Sequence, residues 1–173
     1  MRIKGARNAK LTLPLDKEAI YRIEFGRLYY ISGFIHTARD QAHKRICQAI
    51  RDGSALPFDL KDACIYYAGP TPHNPDSPFA FGSVGPTTSL RMDAWTPLLL
   101  ENGVRILIGK GQRSESVKSC IEKNNAIYFS TIGGAGAYLS SCVKSAELIA
   151  YEDLGCEAIY RLYVEDFPVF RSI

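Results

Sequence analysis

The sequence predicts an α/β fold with a mixed sheet and flanking helices. Short apolar runs rich in β-branched and aromatic residues are typical of buried strands, and they alternate along this chain with segments of helical periodicity. Such alternation favours helices packed on a sheet. Two more strand-like runs follow near the C-terminal end, so we expect a mixed sheet or a second small sheet.

The predicted elements are short. In the first helix Ala42, Ile46, Ala49 and Ile50 recur at helical spacing, which predicts one buried face. The predicted strands comprise residues 28–32, 63–68, 104–108, 126–130, 146–151 and 159–164. The predicted helices comprise residues 39–51, 91–101 and 115–123, with a fourth helix after the glycines at 133, 134 and 136.

Length and composition predict an ordinary globular domain. The 173 residues suit a single domain over residues 1–173, large enough to bury a core without disulfides. The net charge is +3 and no basic run exceeds two residues, which argues against a nucleic-acid partner. No apolar stretch approaches the ~20 residues that span a bilayer, and no signal-peptide core opens the chain. We therefore expect a cytoplasmic protein without a membrane partner.

The cysteines give no sign of a metal site. There are five, an odd number, and the chain is not a short secreted one, so a disulfide framework is not expected. No C-x-x-C or C-x-x-H spacing occurs, which removes the local signatures of zinc and iron–sulfur sites. We expect no metal ligands in this chain and predict that its cysteines are small buried apolar residues.

The candidate functional residues lie where predicted strands give way to helices, the edge at which open α/β sheets bind ligands. At the first junction, Thr37 and Asp40 have the spacing of a capping box. That would place Arg39 in the first helical turn, where a cation opposes the helix dipole. Arg39 therefore either points to solvent or is held there to meet an anion.

Two more junctions carry polar residues. After the Gly85-Pro86 turn, Thr87, Thr88 and Ser89 precede Arg91. One hydroxyl would serve as a helix N-cap, and the cluster either has only that role or joins Arg91 in binding a carboxylate. Lys110 stands between two glycines directly after a strand, as a ligand contact or as a solvated turn residue.

The remaining motifs are less specific. The run Gly133-Gly-Ala-Gly-Ala departs from the G-x-G-x-x-G fingerprint, so we interpret it as close helix–sheet packing or as a backbone wall of the site. The loop 69–86, rich in proline and glycine, is a candidate functional loop. His36, His43 and His73 do not pair with a cysteine or serine as a nucleophilic triad requires, and we expect His43 to be structural or surface-exposed. Two arginines, a lysine and hydroxyls would thus suit a small anion such as a dicarboxylate.

Taken together, these segments resemble the β subunit of class I fumarate hydratases and of the related L(+)-tartrate dehydratases, and also the C-terminal domain of the single-chain forms. The resemblance covers roughly residues 11 to 170, and its Gly-Pro-Thr-Thr-x-x-Arg-Met-Asp stretch is the most specific part. The motifs occur in the family's order: Thr37-Ala-Arg-Asp-x-Ala-His-Lys-Arg, Tyr67-Ala-Gly-Pro, Gly82-Ser-Val-Gly-Pro-Thr-Thr-Ser-Leu-Arg-Met-Asp, Ile108-Gly-Lys-Gly and Gly133-Gly-Ala-Gly-Ala.

The resemblance implies a swivelling β/β/α domain and the reversible hydration of fumarate to L-malate. It implies a four-iron four-sulfur cluster that three cysteines of a partner α subunit bind, and not this chain, within a larger hetero-oligomer. Arg39, Arg91 and Lys110 would bind the substrate carboxylates, and Thr87 would handle the proton at carbon. Asp40 would cap the helix or orient an arginine.

Two other functions stay open at this point. A tartrate dehydratase β subunit would share the cations, because tartrate differs from malate by one hydroxyl. A free-standing anion-binding or regulatory module would instead bind a dicarboxylate without any partner.

Overall fold

The computed structural model describes residues 9–72 and 80–173. Within them a seven-stranded sheet is flanked by short helices. The strands are β1 (Ala9–Thr12), β2 (Leu28–Thr37), β3 (Cys64–Tyr66), β4 (Ile106–Gly109), β5 (Ile127–Ser130), β6 (Val143–Ala150) and β7 (Ile159–Arg171). The helices are α1 (Lys17–Arg22), α2 (Asp40–Asp52), α3 (Thr96–Glu101), α4 (Glu115–Lys123) and α5 (Gly136–Ser141), with 3₁₀ helices at Ser89–Met92 and Glu152–Glu157.

The strand order is β1-β2-β3-β4-β5-β7-β6. Strands β1 to β5 pair in parallel, and β7 pairs antiparallel with β2, β5 and β6. Because β7 contacts both β2 and β5, the pairing of β2, β3, β4, β5 and β7 closes into a ring. The parallel strands β2 to β5 all end at one edge of this ring. The predicted α/β class with a mixed sheet is confirmed.

Alternation along the strands divides the core in two. Tyr66, Ile108 and Phe129 join residues of β2 and β7 in one apolar cluster, which fills the ring. Their neighbours Ile65, Leu107 and Tyr128 face the other way and pack under α2, α3 and α4. Full burial of each such side chain contributes about 1.5–3 kcal/mol. The result is one closed sheet with helices packed on its outer face, which is consistent with the β/β/α domain that the resemblance implies.

Local sequence sets the ends of the longest helix. Helix α2 buries Ala42, Ile46 and Cys47 on one face. It ends at Gly53, whose left-handed backbone (φ 62°) lets its N–H reach the carbonyls of the last turn. The predicted helix over residues 39–51 is therefore confirmed to within one residue at either end.

Other predicted bounds were wrong for physical reasons. The predicted helix over 91–101 is split into two. A 3₁₀ helix ends at Met92, and α3 begins separately at Thr96 with Pro97 in its first turn. Strand β7 extends past 164 to Arg171, since it pairs first with β2 and then with β5. Strand β1 and helix α1 were not predicted at all. Across the described ranges, no helix is long and apolar enough to cross a membrane.

Candidate active site

The three predicted cations follow three neighbouring parallel strands. Arg39 comes two residues after β2 ends, and Lys110 directly follows β4. Arg91 belongs to the 3₁₀ helix that follows β3, and a parallel bridge between Thr88 and Lys110 joins that segment to the end of β4. The structure therefore has all three residues at the carboxyl-end edge of the ring.

Helix α2 is capped by a residue from far along the chain, and the predicted capping box is wrong. Arg39 occupies the N-cap position with extended backbone, and its side chain makes no capping bond to any described residue. The Glu157 carboxylate instead accepts a hydrogen bond of 2.8 Å from the backbone N–H of Gln41. The same carboxylate lies 3.6 Å from Nη2 of Arg39.

Thr37 is still part of strand β2, which is why it does not cap the helix. Its hydroxyl is buried and accepts a hydrogen bond from the Tyr160 N–H at 3.0 Å. It also donates to the Ala158 carbonyl at 3.4 Å. Thr37 thus joins the end of β2 to the start of β7.

Arg39 packs against the backbone of the loop after β3. A Cβ added at Gly69 would lie 2.7 Å from Nη1 of Arg39 and 2.7 Å from the Cys156 carbonyl, so only glycine fits there. The Arg39 side chain is 21% exposed, which rules out the predicted solvent-facing alternative. Its buried Nε has no hydrogen-bond partner among the described residues, and a buried donor in that state is unusual.

Arg91 is held as a fork by Asp40. Its Nε and Nη2 donate to the two carboxylate oxygens of Asp40 at 3.1 and 2.7 Å. Asp40 is the first residue of α2, so this pair ties the 3₁₀ helix to α2. The arginine-orienting role expected for Asp40 is confirmed, while half of the Arg91 side chain stays exposed.

Lys110 and the hydroxyl cluster are placed by backbone hydrogen bonds. The Lys110 carbonyl accepts from the Ser89 N–H at 2.9 Å, and the Tyr67 carbonyl accepts from the Thr87 N–H at 2.6 Å. Lys110 itself is exposed, and a Cβ at Gly133 would be 3.6 Å from its Cδ. Thr88 holds the N-cap position of the 3₁₀ helix, yet its side chain caps no described N–H.

Beneath this edge lies a buried ion pair that the sequence did not predict. The Arg113 side chain is fully buried, and its Nε donates to Asp93 Oδ1 at 2.6 Å. Its other nitrogens donate to Thr96 Oγ1 at 2.6 Å and to the Tyr67 hydroxyl at 3.2 Å. Asp93 closes the Arg-Met-Asp motif, which was a usable signal, but nothing local singles out Arg113.

Two glycines allow the segments of the edge to pack closely. A Cβ at Gly109 would lie 2.0 Å from Ser89 Oγ, and one at Gly136 would lie 2.1 Å from Ser83 Oγ and 3.1 Å from the Gly85 nitrogen. The Val84 N–H also donates to the Gly136 carbonyl at 3.0 Å. Residues 133–137 were expected to pack closely between a helix and the sheet, but the close contact of Gly136 is with the loop at Ser83 and Gly85. Their role as a backbone wall of the site stays a prediction. Residues 73–79 of the candidate loop 69–86, and with them His73, lie outside the described residues.

Both described histidines are neutral at pH 7. His43 is completely buried, and burial lowers its pKa to about 4. Its Nδ1–H donates to the Arg39 carbonyl at 2.8 Å, which makes it a structural residue of the first turn of α2. Burial, together with the nearby Arg161, lowers the pKa of His36 to about 4, and its ring stacks on Phe58.

The donor atoms of the described residues do not fit a metal cluster. In residues 9–72 and 80–173 no three His, Cys, Asp or Glu side chains come together as a possible metal site. Cys47, Cys64 and Cys142 are buried, and burial raises the pKa of all three thiols, which disfavours the thiolates that an iron–sulfur cluster requires.

The fold and site together define a mixed α/β domain with cations and hydroxyls gathered at one strand edge. A family model described as Fumarase C-terminus matches residues 2–173. The chain therefore belongs to the fumarase C-terminus family.

Similar proteins carry two kinds of name. The chain is 41% identical over 142 residues to "Fumarate hydratase class I, aerobic" of Escherichia coli (strain K12), covering 81% of the chain and 26% of that protein. It is 37% identical over 164 residues to "Fumarate hydratase 2" of Leishmania major, covering 92% of the chain and 28% of that protein. The chain thus spans about a quarter of these relatives.

A third relative is close to the chain in size. The chain is 32% identical over 156 residues to "Putative L(+)-tartrate dehydratase subunit beta" of Methanocaldococcus jannaschii. That alignment covers 88% of the chain and 80% of the relative.

Proposed function

We propose that this chain is the β subunit of a two-subunit class I fumarate hydratase, which interconverts fumarate and L-malate only together with an α subunit. The observation that carries the proposal is the position of Arg39, Arg91 and Lys110 after three neighbouring parallel strands at one edge. Membership of the fumarase C-terminus family supports it. Residues 1–173 would act as one domain of the complex.

The proposed substrate matches these cations in charge and shape. Fumarate carries two carboxylates at opposite ends, so its binding calls for more than one cation. A guanidinium binds a carboxylate through two parallel hydrogen bonds, while an ammonium acts as a point charge. In the proposed complex Arg39 and Arg91 hold and orient the carboxylates, and Lys110 adds charge from the neighbouring strand end.

Thr87 is proposed to handle the proton at carbon. When malate is dehydrated, a base removes a proton from the carbon beside one carboxylate, the double bond forms, and the hydroxyl leaves the neighbouring carbon. A threonine hydroxyl is a weak base in water, so the adjacent cations and a closed, dry site must stabilise its negative form. Thr87 is half-buried, and its segment is bridged to Lys110, which suits that role.

The proposed cluster belongs to the α subunit, where it would supply a Lewis acid for the hydroxyl group of the substrate. Burial of the Cys47, Cys64 and Cys142 thiols disfavours them as cluster ligands, which supports placing the cluster on the partner. The name of the Methanocaldococcus jannaschii relative also describes a β subunit. Leu90 and Ile132 are 55% and 44% exposed beside the cations, and a partner that closes the site would cover them.

A tartrate dehydratase β subunit is the second candidate. The similarity in size to the Methanocaldococcus jannaschii relative favours it, because that alignment covers most of both chains. The same cations would bind tartrate, which differs from malate only by one additional hydroxyl group. The choice therefore depends on kinetics.

The first experiment is to coexpress the chain with an α subunit and measure kcat/KM for fumarate, L-malate and L(+)-tartrate. We expect activity on fumarate and malate. A higher kcat/KM on tartrate would replace the proposal with the second candidate, and an inactive complex with an intact cluster would refute both. Tight dicarboxylate binding by the lone chain, measured by calorimetry, would favour a free-standing module.

A pair of variants tests the role of Thr87. Thr87→Val removes one hydroxyl with little change in volume, and we expect a loss of kcat of roughly 10²- to 10⁴-fold, as for a proton-transfer group. Thr88→Val makes the same change at the adjacent exposed position and should keep normal turnover. Wild-type kcat in Thr87→Val would remove Thr87 from the reaction.

A further inference from the structure

Arg113 lies at the centre of a buried network under the cationic edge. Its guanidinium contacts Asp93 and Thr96 on the segment that carries Arg91. It also lies 5.3 Å from the centre of the Tyr67 ring and 5.2 Å from that of Tyr128. Tyr67 directly follows β3 and Tyr128 belongs to β5, the two strands that flank β4. One buried cation therefore contacts the segments that follow β3 and also β5.

Tyr67 and Tyr128 are in turn hydrogen-bonded to the segments that carry the proposed site residues. The Tyr67 carbonyl accepts the Thr87 N–H at 2.6 Å. The Tyr128 hydroxyl bonds Ser89 Oγ at 2.9 Å and donates to the Gly111 carbonyl at 2.9 Å.

Both partners of the Tyr128 hydroxyl, Ser89 and Gly111, are neighbours of Lys110. Gly111 follows it in the chain, and the Ser89 N–H donates to the Lys110 carbonyl. The Thr87 backbone is thus fixed to Tyr67, which contacts Arg113 directly. Lys110 is linked to Arg113 one step further away, because Ser89 and Gly111 both bond Tyr128.

A second arm of the network holds the loop that follows Lys110. Asp93 Oδ2 accepts a hydrogen bond of 2.7 Å from the Ser114 N–H, while Asp93 Oδ1 binds Arg113. Asp93 thereby binds two consecutive residues, the Arg113 side chain and the Ser114 backbone. The Asp93 side chain is only 12% exposed. The loop from Lys110 to Ser114 is joined to the segment of Arg91 by charged hydrogen bonds.

Stability alone is a poor account of such an ion pair. The desolvation of two charges often cancels their attraction, so apolar residues of similar volume can be as stable. An arginine fork does something that an apolar residue cannot, since it fixes distances and angles to several partners at once.

We propose that Arg113 is a positioning residue that sets the places of Thr87 and Lys110 relative to the substrate, acting through Tyr67, Tyr128 and Asp93 without touching the substrate itself. The proposal rests on the function proposed above for this edge. It differs from a structural role in predicting that turnover per folded enzyme falls when the fork is altered.

Kinetics on the reconstituted complex test this proposal. Arg113→Lys keeps the charge but loses the fork, and we expect kcat/KM for fumarate to fall ~10- to 100-fold, as for a displacement of about 1 Å in a catalytic site. Arg105→Lys is the matched control. Arg105 is a half-buried arginine before β4, at the opposite edge, where it donates to the Leu100 and Val104 carbonyls. Its replacement should leave kcat/KM unchanged.

A milder variant covers the case in which Arg113→Lys does not fold. Tyr67→Phe removes only the hydroxyl that accepts from Arg113, and we expect kcat to fall about 2- to 10-fold, as for the loss of one hydrogen bond. Tyr21→Phe is its control, because the Tyr21 hydroxyl binds Asn125 on the exposed surface. Full activity per folded complex in Tyr67→Phe, or in a folded Arg113→Lys, would overturn the proposal.

A measurement on the chain alone separates this proposal from the proposed function. Lysines labelled by reductive ¹³C-methylation give resolved NMR signals, and the Lys110 signal is the one lost in Lys110→Arg. We expect Tyr67→Phe to shift it and Tyr21→Phe to leave it in place. An inactive wild-type complex would refute the proposed function, whereas an unmoved Lys110 signal in Tyr67→Phe would refute the positioning role.

Discussion

Two arginine–aspartate pairs lie at the same edge of the ring and differ in burial. Arg91 binds Asp40 through a two-pronged fork, and half of the arginine side chain is exposed. Arg113 binds Asp93 at 2.6 Å with no exposure of the arginine and 12% exposure of the aspartate. The Arg91–Asp40 pair joins the 3₁₀ helix at Ser89–Met92 to α2. The Arg113–Asp93 pair joins the residue that follows this helix to the loop after β4.

The difference in burial separates two tasks. An exposed ion pair contributes little to stability, because water and salt screen it, so its arginine can exchange partners at small cost. A buried charge that loses its partner is expensive. The exposed pair is therefore suited to meeting an incoming carboxylate, and the buried pair to holding the segments that present it.

Asp93→Asn is expected to have the largest effect, because it leaves the Arg113 charge buried without a counter-charge. We expect a loss of about 3–5 kcal/mol in the free energy of unfolding at pH 7. Urea titration of the chain, followed by circular dichroism, measures it. A loss below about 1 kcal/mol would erase the distinction between the pairs.

A pH titration of stability probes the space between the pairs, where the His43 ring packs edge-on against Tyr67. Burial lowers the pKa of His43 to about 4, so the unfolded chain binds more protons than the folded one between that pKa and about 6.5. The contribution of neutral His43 to the free energy of unfolding is therefore fully present above pH 6.5. It is lost as the pH decreases from about 6.5 to about 4. We expect His43 to account for a loss of roughly 2 kcal/mol between pH 7 and pH 5.

His43→Asn isolates that contribution. Asparagine can keep the hydrogen bond to the Arg39 carbonyl but does not titrate, so urea midpoints for this variant should vary less with pH. Some dependence should persist, because the pKa of His36 is also lowered to about 4. Identical pH profiles for the variant and the wild type would show that His43 does not titrate in this way.

Arg91→Lys should affect activity much more than folding. The charge is kept but the fork is lost, and we expect kcat/KM of the reconstituted complex to fall roughly tenfold or more. Arg45→Lys is a matched control, because Arg45 makes a similar exposed fork to Asp153. Wild-type activity in Arg91→Lys would remove Arg91 from the site.

Asp40→Asn is expected to have the smallest effect on stability. Asp40 is 18% exposed, but its partner Arg91 is half exposed, so water screens the pair. Its place in the first turn of α2 adds a modest interaction with the helix dipole. We expect a loss of about 1 kcal/mol or less, measured by the same urea titration as for Asp93→Asn. A loss as large as that of Asp93→Asn would contradict the assignment of tasks to the two pairs.

The placement of most candidate site residues was predictable because they follow strands directly. Once β2 and β4 are recognised as parallel strands, Arg39 and Lys110 must lie at the same edge. The capping of α2 was not predictable, because Glu157 lies 116 residues from the Gln41 N–H that it binds. Local sequence favoured the nearer Thr37 as the capping residue. Thr37 cannot cap α2, because β2 extends beyond its predicted end and includes it.

The sequence by itself determined the α/β class, the faces of the helices and the junctions that carry Arg39, Thr87, Arg91 and Lys110. Those features depend on periodicity and on residues a few positions apart, which a linear pattern records. Only the tertiary structure decided that β7 closes the ring, that Glu157 caps α2 and that Arg113 is buried beneath the cationic edge. Each of these depends on contacts between distant segments, whose partners are chosen by packing and by the need to satisfy buried charges and hydrogen-bonding groups.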